Sequence, residues 1–302
     1  MYSITNNKKP IIFSDVDGTI YKKFDLKENT VKDIQFAIKN DADFNICTGN
    51  PVRERMLELA EKLDVKYLLC SSGGQIYDVK KQQHLKSWYI DYKFLKDLID
   101  VANRLNLQMI FWDDDNYFYL KDSPNLNNEI LNYHFISKEK QETIPKKYSN
   151  ELINPIKIEI YSQQPINECN ISNKVNEIYK EIEFLNDDIE IIVTHCNIEI
   201  NAKNINKGSA IKWLIENEYN DLDVKLEDVM TIGDSNNDIP MLQLTNYSYA
   251  MANSTEKPLK IAKLFTSDVV QNGLGEAILD YLYRLKNIAR KHMLHEFLEG
   301  EK

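Results

Sequence analysis

Short apolar runs that end in polar turns recur along the first third of the chain. Ile11-Ile12-Phe13 leads into Ser14-Asp15-Val16-Asp17-Gly18-Thr19, and Phe44 to Cys47 leads into Thr48-Gly49-Asn50-Pro51. Tyr67 to Cys70 ends likewise in Ser71-Ser72-Gly73-Gly74. Runs this short, apolar at consecutive positions, read as parallel strands buried on both faces. Between them, Asp25 to Lys39 predicts a helix carrying Val31, Ile34, Phe36 and Ile38. Pro51 at a first helical position, followed by Arg53-Glu54-Arg55-Met56-Leu57-Glu58-Leu59, predicts a second. Strand, helix, strand, helix, strand is the doubly wound α/β pattern.

From about residue 85 the texture changes. Helical stretches (Phe94 to Leu105, Ser172 to Leu185) alternate with predicted antiparallel strands at Gln108–Trp112, Tyr117–Leu120, Ile156–Tyr161 and Ile189–Thr194. The first pattern then resumes with a helix over Lys207–Glu218, a strand over Val229–Ile232 and a short helix over Ile239–Leu244. A chain of 302 residues suits two domains. The predicted division is a discontinuous α/β core, 1–84 and 197–302, around an α+β insert, 85–196. Tyr281 to Lys302 reads as a tail helix of mixed charge.

A formal charge of −10 argues against a nucleic-acid partner, which needs a basic surface. It leaves room for a small anionic substrate, because a cation and a lysine can reverse the field inside one cleft. The four cysteines show no Cys/His metal spacing, and Cys47 and Cys70 read as small buried hydrophobes. Residues 1–10 lack the apolar core of a signal peptide, and no run approaches a membrane span, so the expectation is a cytoplasmic protein with no membrane partner. Asp113-Asp114-Asp115-Asn116 reads as a hairpin turn rather than a metal site. The pairs His195–Cys196 and His292–His295 lack further ligands at metal spacing.

Asp15 and Asp17 carry the candidate chemistry. Residues two apart share a side of an extended chain, so both carboxylates can face one small volume beyond the strand's carboxyl end. Like charges that close are tolerated when a cation or an electrophile lies between them. A carboxylate is ionised at neutral pH, so as a nucleophile it needs no activating base.

Four motifs then fall in a recognisable order: Asp15-Val16-Asp17-Gly18-Thr19, Thr48-Gly49, Asn206-Lys207-Gly208, and Gly233-Asp234-Ser235-Asn236-Asn237-Asp238. Weaker echoes are Ser72 to Tyr77, Met251 to Ser254, Thr266 to Asp268 and Asn272 to Leu274. Together they resemble the haloacid dehalogenase superfamily, specifically its Cof-type phosphatases with a C2-type cap. The resemblance implies a Rossmann-like core interrupted by a cap, and a Mg²⁺-dependent phosphatase. It would hydrolyse a small phosphorylated metabolite, a sugar phosphate or similar phosphomonoester, through an aspartyl-phosphate. It assigns Asp15 as nucleophile and Asp17 as general acid and base. Thr48 and Gly49 hold the phosphate oxygens, and Lys207 neutralises Asp15 and the phosphoryl group. Mg²⁺ would be held by Asp15, the backbone carbonyl of Asp17, and Asp234, with Asn237, Asp238, Asn50 and Asn253 in support.

Two departures stand out. The family pattern has Arg after Thr-Gly and Asn before the glycine of the third loop, whereas this chain has Asn50 and Ser72. Arg53 and Arg55 fit either a replacement cation or an ordinary solvated helix face. A phosphotransferase or mutase on the same scaffold, and a binding protein that has lost activity, are the alternative readings. A monomer or weak homodimer is expected.

Overall fold

The computed structural model describes residues 9–122, 144–161, 168–194, 197–220, 222 and 224–286. The predicted central strands are present as β1 (Ile11–Ser14), β2 (Asp43–Cys47) and β3 (Tyr67–Cys70), each almost wholly buried. β4 (Gln75–Asp78) and β5 (Gln83–Ser87) follow as an antiparallel hairpin on the same sheet. Their alternating polar residues hid them in the sequence.

A second sheet is built from β6 (Gln108–Trp112), β7 (Tyr117–Tyr119), β8 (Lys146–Lys147), β9 (Lys157–Tyr161), β10 (Ile189–Val193) and β11 (Ile198–Ala202), in the order β10-β11-β9-β6-β7-β8. β11 pairs antiparallel with β9 and β10. Sheet membership therefore carries the inserted layer through Ala202, beyond the predicted return to the core at 197. The Asp113–Asn116 turn joins β6 to β7 as the sequence suggested, closed by the Asp113 N–H donating to the Asn116 carbonyl.

The chain then returns to the first sheet with β12 (Met230–Gly233), β13 (Tyr247–Met251) and β14 (Leu264–Thr266). The eight strands run β14-β13-β12-β1-β2-β3-β4-β5, with β14 through β3 all parallel. Helices cover both faces, as a parallel sheet requires. Helices α1 (Glu28–Lys39) and α2 (Glu54–Leu63) lie on the face that presents Ile12, Phe44 and Ile46. The opposite face presents Ile11, Phe13 and Cys47 to later helices.

Helices α3 (Tyr92–Arg104) and α4 (Glu168–Ile182) pack on one face of the second sheet, against Met109, Phe111, Ile158 and Ile200. Its other face carries Trp112, Lys157, Glu159 and Glu199 toward the first sheet. The remaining helices are α5 (Lys207–Glu218), α6 (Ile239–Leu242), α7 (Glu256–Ile261) and α8 (Gly273–Lys286). α5 and α6 cover Ile11 and Phe13, while α8 joins α1 and α2 through Ile278 and Tyr281. α8 begins well before the predicted tail helix. The tail beyond 286, with His292 and His295, and the pair His195–Cys196 lie outside the described residues. No helix among the described residues is long and apolar enough to cross a membrane.

β1 sits at the middle of the sheet, with β2 on one side and β12 on the other. That reversal of strand order is where an open α/β sheet leaves a crevice at its carboxyl end. The candidate residues converge there.

Candidate active site

β1 ends at Ser14 and delivers Asp15, whose backbone N–H donates to the Ile232 carbonyl at 3.0 Å and stitches the loop to β12. The chain then turns sharply, with the Gly18 N–H donating to the Tyr21 carbonyl and the Ile20 N–H to the Val16 carbonyl, both at 2.9 Å. Gly18 turns with φ +92°, and a Cβ there would stand 2.3 Å from Asp234 Oδ2. Only glycine fits such a turn against a carboxylate.

Lys207 opens α5 directly after its N-cap. The Asn206 side chain accepts from the Ser209 N–H at 3.0 Å, and Ser209 Oγ accepts from the Asn206 N–H at 2.9 Å. This reciprocal cap fixes where the helix begins and so where Lys207 points. Its Nζ, wholly buried, donates to Asp15 Oδ1 and Asp238 Oδ1, each at 2.6 Å. Burial works against the ammonium, but Asp15 and Asp238 more than reverse this and hold its pKa well above the usual lysine value.

The acidic loop after β12 folds on itself. Asp238 Oδ2 accepts from the N–H groups of Asp234 and Ser235, both at 2.9 Å. Asp15, Asp234 and Asp238 place one oxygen each within 4.8 Å of one another. Burial pushes Asp15 up to about 7 and Asp234 well above the carboxylate range. For Asp15, Lys207 opposes that rise; for Asp234, Asp15 and then Asp238 add to it. Asp234 Oδ1 is buried without a hydrogen-bond partner. An orphaned carboxylate oxygen among oxygen donors suits a hard divalent cation, which takes oxygen ligands and relieves just this repulsion.

On the other side of the crevice, Thr48 ends β2. Its Oγ1 accepts from the Asn50 N–H at 3.2 Å and from Asn50 Nδ2 at 2.8 Å, which leaves the hydroxyl hydrogen to donate elsewhere. Asn50 Nδ2 also donates to Asp17 Oδ2 at 2.9 Å. Asn253 Nδ2 donates to the Gly18 carbonyl at 2.8 Å and reaches Asp234 Oδ2 at 3.5 Å, tying the two acidic loops together. Asn237 turns toward the second sheet instead, its Nδ2 donating to Glu199 Oε1 at 3.2 Å.

A sequence model of the haloacid dehalogenase-like hydrolases matches residues 12–278 of the 302. The chain belongs to that family. A Mycoplasma pneumoniae protein provisionally named a phosphatase is 26% identical over 294 residues, spanning 89% of this chain and 94% of its relative. Among solved structures, the haloacid dehalogenase subclass IIB sugar phosphatase BT4131 aligns with a TM-score of 0.75 at 17% identity, covering 90% of this chain and 98% of its own. A haloacid dehalogenase-like hydrolase from B. subtilis aligns with a TM-score of 0.73 at 19% identity, covering 89% and 98%. The mixed α/β fold with its parallel core sheet is thus the fold of these family members.

Three residues of this haloacid dehalogenase-like hydrolase went unread or unresolved in the sequence. Lys157 is wholly buried on β9, its Nζ donating to the Gly49 carbonyl at 3.0 Å and to Ser72 Oγ at 3.1 Å. It pairs with Glu159 at 2.8 Å and Glu199 at 2.9 Å, and Glu199 also accepts from Ser72. The nonstandard Ser72 is thus where the inserted sheet meets the third loop, in a left-handed backbone (φ 52°) that asparagine adopts more readily than serine. Arg55 is the third. It lies on no solvated face: it is 1% exposed and ion-paired with Asp17. Its neighbour Arg53 donates to the carbonyls of Asp113 and Asp114 across the two sheets.

Proposed function

We propose that this hydrolase is a Mg²⁺-dependent phosphatase acting on a small phosphorylated metabolite through an aspartyl-phosphate on Asp15. The observation that carries the reading is the convergence of Asp15, Lys207, Asp234 and Asp238 at the carboxyl ends of β1 and β12. Mg²⁺ would be held by Asp15, the Asp17 carbonyl and Asp234, and when bound it supplies a counter-charge for the phosphate oxygens. Asp238 positions Lys207 and braces the loop that carries Asp234.

Asp15 attacks phosphorus while the bond to the leaving oxygen breaks, and Asp17 gives that oxygen its proton. Asp17 then takes a proton from water as the water attacks the phosphorus of the aspartyl-phosphate, releasing phosphate and regenerating Asp15. Thr48 and the Gly49 N–H hold the non-transferred oxygens at the carboxyl end of β2. Lys207 stabilises charge that spreads over the phosphoryl group in the transition state. The inserted domain, 85–196 with β11 added, excludes water and contacts the leaving group. Sugar phosphates head the candidate substrates, since the aligned BT4131 is named a sugar phosphatase.

Phosphate release from para-nitrophenyl phosphate and a panel of metabolite phosphates tests this directly. The expected result is turnover with Mg²⁺ that is lost with EDTA and lost in Asp15→Asn. No release from any compound by folded protein with Mg²⁺ present would overturn it.

A further inference from the structure

We propose that Arg55, held by Tyr21, Phe24 and Asn50, is the positioning residue for Asp17 and supplies from the first turn of α2 the guanidinium missing at position 50. This deepens the phosphatase reading and rests on it, since it gives Asp17 the role of proton donor to the leaving oxygen.

The Asp17 side chain is 39% exposed, so packing alone does not fix its orientation. Donors do. Asn50 Nδ2 binds Oδ2, and Arg55 Nη2 binds Oδ1. The guanidinium is itself fixed from every side. Arg55 Nε and Nη2 donate to the Tyr21 hydroxyl at 3.0 and 2.7 Å, and Nη1 donates to Asn50 Oδ1 at 3.1 Å. The Phe24 ring covers its face with the centroid 4.5 Å from Cζ. Tyr21 and Phe24 belong to the same loop as Asp17, so the loop that carries the acid also wraps the cation that orients it. A planar fork with fixed donors suits this task, and a lysine ammonium does not reproduce it. Asn50 is the bridge, donating to Asp17 and accepting from Arg55, which gives the departure from the family pattern at this position a physical use.

If Arg55 aims a proton donor, its loss hurts most where the leaving group most needs a proton. An alkoxide leaves poorly without one, whereas para-nitrophenolate leaves readily. The measurement is kcat/KM, which reports only events through the first chemical step, for para-nitrophenyl phosphate and for an alkyl phosphate such as a hexose 6-phosphate. Wild type, Arg55→Gln, Tyr21→Phe and Asp17→Asn are compared with Mg²⁺ present, each checked for folding by thermal melting. Arg55→Gln is expected to lose at least tenfold more on the alkyl than on the aryl substrate, in the same sense as Asp17→Asn. Tyr21→Phe keeps the ring and removes only the hydroxyl that receives Arg55, so it should show a smaller split of the same sign. It also carries the test should Arg55→Gln fail to fold. Equal losses on both substrates in the Arg55 or Tyr21 variants, with Asp17→Asn still discriminating, would overturn the inference and leave a purely structural ion pair. An Asp17→Asn variant that does not discriminate would instead overturn the role given to Asp17.

Discussion

Gly18 carries the steric cost of bringing two acidic loops together. With φ +92° and Asp234 Oδ2 only 2.3 Å from where a Cβ would stand, Gly18→Ala has no unstrained arrangement. The left-handed backbone alone costs about 1–3 kcal/mol, to be read from denaturant unfolding. Turnover should fall further than stability, because the clash displaces Asp234; unchanged activity in the folded variant would contradict this. Residues of this kind were legible because each stands just past a short apolar run. Asp15, Asp17, Thr48 and Asp234 follow β1, β2 and β12, and a parallel strand that ends in polar residues announces a crevice. Arg55 was not legible. One-dimensional spacing leaves open which side of α2 meets the Asp17 loop, and its partners Tyr21 and Phe24 lie more than thirty positions away.

At the scale of elements, β9 and β11 illustrate what a single sequence hides. Charged residues alternate with isoleucine in Lys157-Ile158-Glu159 and Ile198-Glu199-Ile200, a pattern that ordinarily leaves one face of an antiparallel strand in water. That face is instead buried against the loops after β2, β3 and β12, where the one lysine pairs with both glutamates. Lys157→Met would leave both carboxylates buried without their cation, a loss of about 3–5 kcal/mol in unfolding free energy. Its pH dependence has a definite sign. Burial lowers the lysine's pKa, but Glu159 and then Glu199 more than reverse this, so the folded value lies above 10.5. A raised folded pKa gives stability that is complete below the unfolded value and lost as pH rises through the folded one. As pH rises from neutrality, the stability gap between wild type and Lys157→Met should therefore hold and close only above pH 10.5. A gap that closes below pH 10.5 as pH rises would show that Lys157 is not charged and paired in the folded protein.

For the whole molecule, a net charge of −10 says nothing of where the few buried cations lie. Among the described residues the buried lysines and arginines are Arg55, Lys157 and Lys207, and all three sit at the carboxyl ends of the core strands. The fold thus concentrates buried cations, beside paired carboxylates, where an anionic substrate would arrive. The change of texture along the chain was readable in the sequence, and the strands of the two textures lie in two sheets. The exact return to the core was not, because β11 looks like any core strand until its antiparallel pairing with β9 is seen. The central claim, covalent catalysis by Asp15, is tested most directly by rapid acid quenching of the enzyme during turnover of a substrate carrying radiolabelled phosphate, with Mg²⁺ present. The account predicts acid-stable, hydroxylamine-labile phosphate confined to the peptide containing Asp15 and absent from Asp15→Asn. Turnover with no label on that peptide, or with label on another residue, would contradict it.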